Sequence, residues 1–352
     1  MNTIAFKLNS MSLCGKICKC KLIMQNQMKV FTTRKMPKAG IDLLEAEGYE
    51  VIQWNEKREL TQDELIAHCK AADGIILSGR RKVDTAFLEA CSHLKVISLF
   101  SVGYDNVDVA AATKFNIPIG HTPDVLSKAT ADTAFLLLLA TSRKAFYHHK
   151  RIAKDDWDFF EPTAGLGMDI HGKTLGILGL GNIGFEMARL CKSAYGMKVI
   201  YHNRSTNELA EKELGAKKVS FDELLQQSDV ISVHANLTDA LKGVFNKEAF
   251  AKMKPNAIFI NTARGGIHNE TDLTEALESD TIWGAGLDVT NPEPMDKNNP
   301  LLNMPNVSVL PHIGSAVKET RDAMAVLAAQ NVIAGLKGEK LVKCVNPEVY
   351  ED

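Results

Sequence analysis

Residues 174–190 read TLGILGLGNIGFEMARL. A short apolar run leads into Gly179-x-Gly181-x-x-Gly184, and an amphipathic, helix-like stretch follows. In a parallel α/β sheet this order is strand, tight turn, helix. Each glycine then serves a separate purpose. Gly179 permits the turn, Gly181 lets backbone approach a pyrophosphate, and Gly184 lets helix and strand pack closely. The helix start, with Asn182 and Ile183, turns free N–H groups and a positive dipole end toward phosphate. A lone Gly-x-Gly-x-x-Gly is a weak signal, because tight turns also use glycine. The strand-like KVIYHN at 198–203 makes it a nucleotide loop in its proper context.

A carboxylate is expected about 20 residues beyond such a loop, where it grips the adenosine ribose. Residues 201–207 read YHNRSTN instead, so Asn203, Arg204 and Ser205 stand there. An acid would repel a 2′-phosphate, whereas a neutral Asn203 beside Arg204 and Ser205 suits one. NADP(H) is therefore the expected preference. The alternative is that Arg204 stacks on adenine or points into solvent, with NAD(H) still accepted.

Outward from this loop the chain alternates short β-branched runs with helical stretches, the pattern of parallel α/β sheets. Strands are expected at 29–33, 50–54, 74–77, 96–100 and 117–119, and again at 174–178, 198–201, 230–234, 257–261, 283–289 and 307–310. The architecture thus occurs twice, as two doubly wound parallel-sheet lobes of an α/β protein. Residues 130–150 read as one long hinge helix and 318–336 as a second. If the second helix returns to the first lobe, that lobe spans 28–128 plus 318–352 and the nucleotide lobe 129–317.

Three polar residues stand at the ends of later strands: Arg264 after IFINTA, Glu293 in TNPEP and His312 in LPHIGS. Ligands of open α/β sheets bind at these carboxyl ends. An arginine holds a carboxylate in a bidentate fork. A histidine moves a proton near neutral pH, and a nearby glutamate orients it and raises its pKa. Singly, each has a bland reading: Arg264 a turn cap, Glu293 an exposed loop acid, His312 a satisfied buried imidazole. In the first half, LFSVGYDNVD at 99–108 ends a strand at Ser101, and the Val102–Gly103 turn can aim N–H groups at an anion or simply connect strand to helix.

Composition sets outer bounds. The 352 residues carry 41 basic and 43 acidic side chains, a net charge of −2, with 45% hydrophobic residues. Such a balance lacks the basic face that nucleic acid or an anionic membrane requires. The longest apolar run, 134–140, is far short of the ~18 residues of a membrane span. Four scattered cysteines suit a reducing compartment, so a cytoplasmic protein is expected. Residues 1–27 read as a disordered or dispensable extension, and their Cys14, Cys18 and Cys20 lack a second ligand cluster with zinc spacing. No metal is expected.

From Met28 onward the chain resembles the NAD(P)-dependent D-2-hydroxyacid dehydrogenases, and within them the glyoxylate/hydroxypyruvate reductases. The motifs that carry the resemblance are SVGYDNVD, LGILGLGNIG, NTARGG, GLDVTNPEP and LPHIGS. The resemblance implies a homodimer acting on a small 2-oxo or 2-hydroxy acid, each subunit having a flavodoxin-like substrate-binding lobe from both chain ends and a central Rossmann nucleotide lobe, joined by two hinge helices. It implies His312 as general acid, Glu293 as its hydrogen-bond partner, and Arg264 as carboxylate anchor with the backbone N–H groups of Val102 and Gly103. It also implies cofactor contacts at Asp288, His234, Thr262, Ala263 and Thr130.

Departures narrow the resemblance. HANLTDAL at 234–241 has Asn236 and Leu241 where the family often has Pro and Thr. Glu293 in place of glutamine argues against formate dehydrogenase, and the lack of a regulatory C-terminal domain argues against the long phosphoglycerate dehydrogenases. Other substrates of the same family, of the D-lactate or 2-ketogluconate type, and a non-catalytic dinucleotide-sensing role like that of the family's co-repressors are the alternatives.

Overall fold

Runs such as GIIL, VISV and IFIN have the near-continuous apolar, β-branched character of strands covered on both faces, as in a parallel sheet between helices. In the computed structural model, which describes residues 27–351, they form two parallel sheets. The first contains β1 (Lys29–Thr32), β2 (Glu50–Gln53), β3 (Gly74–Leu77), β4 (Val96–Leu99) and β5 (Ile119–Gly120), in the order β2-β1-β3-β4-β5. That is the flavodoxin-like order.

The second contains β6 (Thr174–Leu178), β7 (Lys198–His202), β8 (Lys217–Lys218), β9 (Val230–Val233), β10 (Ile258–Asn261), β11 (Gly284–Leu287) and β12 (Val307–Val309). Its order is β12-β11-β10-β9-β6-β7-β8. The direction of winding reverses between β6 and β9, so the crevice for a dinucleotide opens at the end of β6, beside the glycine loop. The expected strands all occur, though β5 is only two residues long and Trp283 and Val289 lie outside β11.

The first hinge helix differs from its expectation. The stretch expected to be one helix is two, Ser127–Ser142 and Ala145–Ala153. Lys144 adopts a left-handed conformation with φ 51°, and the Met168 amide donates to the Ser142 carbonyl at 2.7 Å. The returning chain at 165–168 therefore takes a carbonyl that a continuing helix would have used. The Lys318–Leu336 helix is unbroken and packs on β3, β4 and the Lys38–Ala46 helix. The chain end then joins the first sheet through the Val345 amide on the Ile119 carbonyl at 2.8 Å.

Each sheet has its own core. Phe31, Leu65, Phe87 and Ile97 centre one cluster in the first lobe, and Phe245, Phe250, Phe259 and Leu273 centre one in the second. Among the described residues no helix is long and apolar enough to cross a membrane. The cysteine group at 14–20 and the expected 1–27 extension, apart from residue 27, lie outside the described residues.

Candidate active site

The glycine loop leaves β6 at Leu178. Gly179 has φ +92°, and a Cβ there would overlap the Ala235 backbone nitrogen, so no other residue fits without moving β9's exit. At Gly181 a Cβ would meet nothing within 4 Å. Open space therefore lies over the start of the Asn182–Tyr195 helix, whose first turn has no side-chain cap. Uncapped N–H groups facing a cradle kept clear of side chains fit a pyrophosphate. Gly184 packs against the Gly179 carbonyl, and Ile183 packs against the cluster that includes Phe100, Leu126 and Met324. The Asn182 amide is turned aside, donating to Asp124 at 2.6 Å.

Asn203 points inward: its oxygen accepts from the Leu180 amide at 2.7 Å and its nitrogen donates to the Leu180 carbonyl at 3.2 Å. Asn207 adds a second bond to that carbonyl at 2.9 Å. Asn203 therefore braces the glycine loop. The exposed residues at the ribose position are Arg204 and Ser205, and the Lys218 ammonium donates to the Arg204 carbonyl at 3.1 Å. The neighbourhood is cationic.

At the far side of the crevice, His234 lies 2.8 Å from the Ser232 hydroxyl through Nε2, with Thr262 at 3.5 Å from Nδ1. Desolvation pushes its imidazole down to about 3, so it is neutral at pH 7. Ala263 follows Thr262, and its amide donates to the Asn261 oxygen at 3.0 Å.

Asn261 organises the turn that aims Arg264. Besides the Ala263 amide, it donates to the Arg264 carbonyl at 2.9 Å and meets His268 Nδ1 at 3.0 Å. Both Asn261 and His268 are buried, and burial pushes His268 down to about 4. The Arg264 guanidinium leaves this turn toward the first lobe. Its Nε donates to Asp105 at 2.8 Å and its Nη1 to the Ala263 carbonyl at 2.8 Å. A Cβ on Gly103 would overlap its Nη2, so the missing side chain at Gly103 is what admits the guanidinium. Among the described residues the Val102 and Gly103 amides have no backbone or side-chain acceptor, and Gly103 lies against the guanidinium.

Glu293 and His312 meet across the ends of β11 and β12, with His312 Nδ1 2.6 Å from Glu293 Oε1. Burial pushes the Glu293 carboxyl up, but the hydrogen bond and charge of His312, together with the Arg80 guanidinium, outweigh it and hold the pKa below its usual value. With Nδ1 so engaged, the opposite nitrogen, Nε2, is left without a protein partner among the described residues. His312 sits at φ +55°, the left-handed region, which costs a residue of this kind about 1–2 kcal/mol.

The turn is held by Asp288. Its two oxygens accept from the Ile313 and Gly314 amides, each at 2.7 Å. Bonds to a charged acceptor contribute roughly 1.5–3 kcal/mol each, enough to offset the backbone cost. Asp288 is 1% exposed, and burial raises its carboxyl even against those two bonds. Thr130 packs beside it against Gly314.

The structure thus brings Arg264, Glu293, His312, Val102 and Gly103 to one cleft between the lobes, next to the glycine loop. It turns Asn182, Asn203 and Asp288 to protein partners. Two braces, Asn261 and His268, are not evident from sequence. The only signal for Asn261 is a polar residue at the end of an otherwise apolar strand, and His268, beyond the turn that follows, has none.

Comparison with known proteins follows the same lines. Residues 135–314 match the family described as D-isomer specific 2-hydroxyacid dehydrogenase, NAD binding domain. A glyoxylate reductase of Pyrococcus furiosus is 41% identical over 327 residues, 92% of this chain and 96% of that protein. A glyoxylate/hydroxypyruvate reductase B of Serratia proteamaculans is 43% identical over 289 residues, 82% of this chain and 89% of that one. Among solved structures, the NADPH-dependent glyoxylate/hydroxypyruvate reductase of Sinorhizobium meliloti, in complex with NADP and malonate, has a TM-score of 0.79 at 30% identity, covering 91% of this chain and 97% of that one.

Proposed function

The chain belongs to the D-isomer specific 2-hydroxyacid dehydrogenase family, and on that footing we propose that it reduces glyoxylate or hydroxypyruvate to the D-2-hydroxy acid. The observation that carries this reading is the cleft itself: a guanidinium, two unclaimed amides and a glutamate-held imidazole converge beside an uncapped helix start.

Each group has a chemical role there. Arg264 and the Val102 and Gly103 amides bind the substrate carboxylate and draw electron density from the 2-oxo group, as donors aimed at developing charge. A bound nicotinamide dinucleotide supplies the hydride that C2 receives. His312 Nε2 gives its proton to the carbonyl oxygen, which becomes the hydroxyl. Glu293 accepts from Nδ1–H and favours the doubly protonated ring that can make this donation. His234, Thr262 and Ala263 line the cofactor side of the crevice, with Thr130 beside the His312 turn, and Asp288 acts there by pinning that turn. The lobes divide, on the same reading, at 28–128 with 318–352 and at 129–317.

NADP(H) is the preferred cofactor in this reading. Support comes from Asn203 being turned into the loop, which leaves Arg204 and Ser205, backed by Lys218, to face the adenosine ribose. Arg204→Ala is expected to lower the NADPH-to-NADH ratio of kcat/KM by roughly 10-fold or more, the effect of losing a charged hydrogen bond. Steady-state kinetics with both cofactors checks it. An unchanged ratio shows that Arg204 does not read the 2′-phosphate.

A homodimer is also proposed. Trp157, Phe159 and Phe160 are 73%, 77% and 83% exposed on the irregular stretch before β6, an unusual display of aromatic surface for a lone chain. Replacing all three by serine is expected to convert a dimer of the 38.6 kDa chain to monomer in analytical ultracentrifugation. A wild type that sediments as monomer contradicts the proposal. Turnover with a panel of glyoxylate, hydroxypyruvate, pyruvate and 2-ketogluconate ranks the substrates, and the absence of turnover on all four is the outcome expected of a dinucleotide sensor.

A further inference from the structure

The catalytic carboxylate has a second suitor. Arg80, from the loop after β3 in the first lobe, reaches across the cleft and brackets Glu293: one guanidinium nitrogen donates to its main-chain carbonyl and the other pairs with Oε1. That is the same oxygen that His312 Nδ1 occupies. A planar fork placed on backbone and side chain together fixes where the carboxylate sits, which a point charge would not.

The loop that carries Arg80 is not free to wander. The Arg81 carbonyl accepts from Asn106 at 2.9 Å, and the Val83 amide donates to the Asn106 carbonyl at 2.9 Å. Val83 and Val107 form a parallel bridge. This zips the Arg80 loop to the one holding Asp105, the partner of Arg264. Both cross-cleft contacts therefore come from one coupled edge of the first lobe. The carboxylate anchor and the acid pair are thus both contacted from that one edge.

We propose that Arg80 is a positioning residue for proton transfer: it seats Glu293 across the cleft and competes with His312 for a single carboxylate oxygen. The proposal rests on the reduction chemistry proposed above for its consequence, though not for its geometry. A cation on Glu293 weakens the hold of that carboxylate on a protonated imidazole, so Arg80 makes His312 a readier proton donor.

Other charges surround the pair. Asp288 lies near both His312 and Glu293, Arg321 sets its charge against Asp288 from the start of the Lys318–Leu336 helix, and Arg264, on the same lobe as the pair, is matched by Asp105 of the first lobe. Among the described residues Arg80 is the one guanidinium in contact with the Glu293 carboxylate. Its removal therefore changes the balance at His312 with a definite sign.

The test is an NMR titration of the His312 imidazole in full-length wild type, Arg80→Ala and Arg80→Lys, assigned with His312→Asn. It needs no substrate. Arg80→Ala is expected to raise the His312 pKa by about half to one unit, the scale of one half-exposed charge a few ångströms away. Arg80→Lys, which keeps the charge without the planar fork, is expected to lie between Arg80→Ala and wild type. Where wild type turns over glyoxylate, the basic limb of its kcat/KM profile is expected to move upward by the same amount in Arg80→Ala. A His312 pKa that is unchanged or lower in Arg80→Ala overturns the proposal. Absence of wild-type turnover, with the imidazole shift intact, overturns the assigned reaction and leaves the role of Arg80 standing.

Discussion

Replacing His312 by asparagine is expected to lower kcat for glyoxylate reduction by roughly 10²–10⁴-fold, the usual contribution of a positioned general acid. Asparagine is the informative choice because His312 sits at φ +55°. Of the non-glycine residues, asparagine is among those that tolerate the left-handed region best, so the turn pinned by Asp288 survives the change. What is lost is the ring nitrogen opposite Glu293, for which an amide offers no equivalent acid. Dinucleotide affinity, measured by quenching of protein fluorescence, is expected to remain as in wild type. Equal loss in kcat and kcat/KM marks an interaction made in the transition state alone. A variant that keeps wild-type kcat removes His312 from the chemistry.

The second large effect belongs to Arg264. Truncation to alanine removes the fork facing the Val102 and Gly103 amides and strands Asp105, whose carboxylate then has lost its cation at 2.8 Å. Losing the charged hydrogen bonds between this guanidinium and a substrate carboxylate costs about 2–5 kcal/mol, so kcat/KM for a 2-oxo acid is expected to fall by roughly 30- to 4,000-fold. Arg264→Lys is expected to recover part of the loss, since a lysine supplies charge without the planar fork. The comparison of kcat/KM for the three proteins checks the assignment. A lysine variant indistinguishable from wild type means that charge alone suffices and that bidentate geometry is irrelevant.

Much of this site is legible in the sequence, for physical reasons. Gly179 and Gly181 are legible as spacing devices because their constraint is local: a positive φ in one case and an unobstructed backbone in the other. The strand ends that carry Arg264, Glu293 and His312 follow from apolar runs whose period and length are set by burial between helices. Contacts that form only when the lobes meet are not legible. Arg80 and Glu293 are 213 residues apart, and nothing near either residue signals their meeting.

Direction is hidden as well as distance. Asn203 stands where a ribose contact is expected, yet its amide turns back to Leu180, because Leu180 presents both an amide and a carbonyl that need partners. The break between Ser142 and Ala145 escapes the hydrophobic pattern for a similar reason. The carbonyl that ends the first segment is taken by a chain returning 26 residues later.

Above all, the cleft is read as passing a hydride from a reduced nicotinamide dinucleotide to a small 2-oxo acid. The direct measurement mixes purified full-length protein with NADPH and follows its near-ultraviolet absorbance as glyoxylate or hydroxypyruvate is added. Saturable loss of that absorbance is expected, stoichiometric with 2-hydroxy acid formed and suppressed in His312→Asn. Absorbance that stays constant with both acids, in protein shown to bind the dinucleotide, would contradict it.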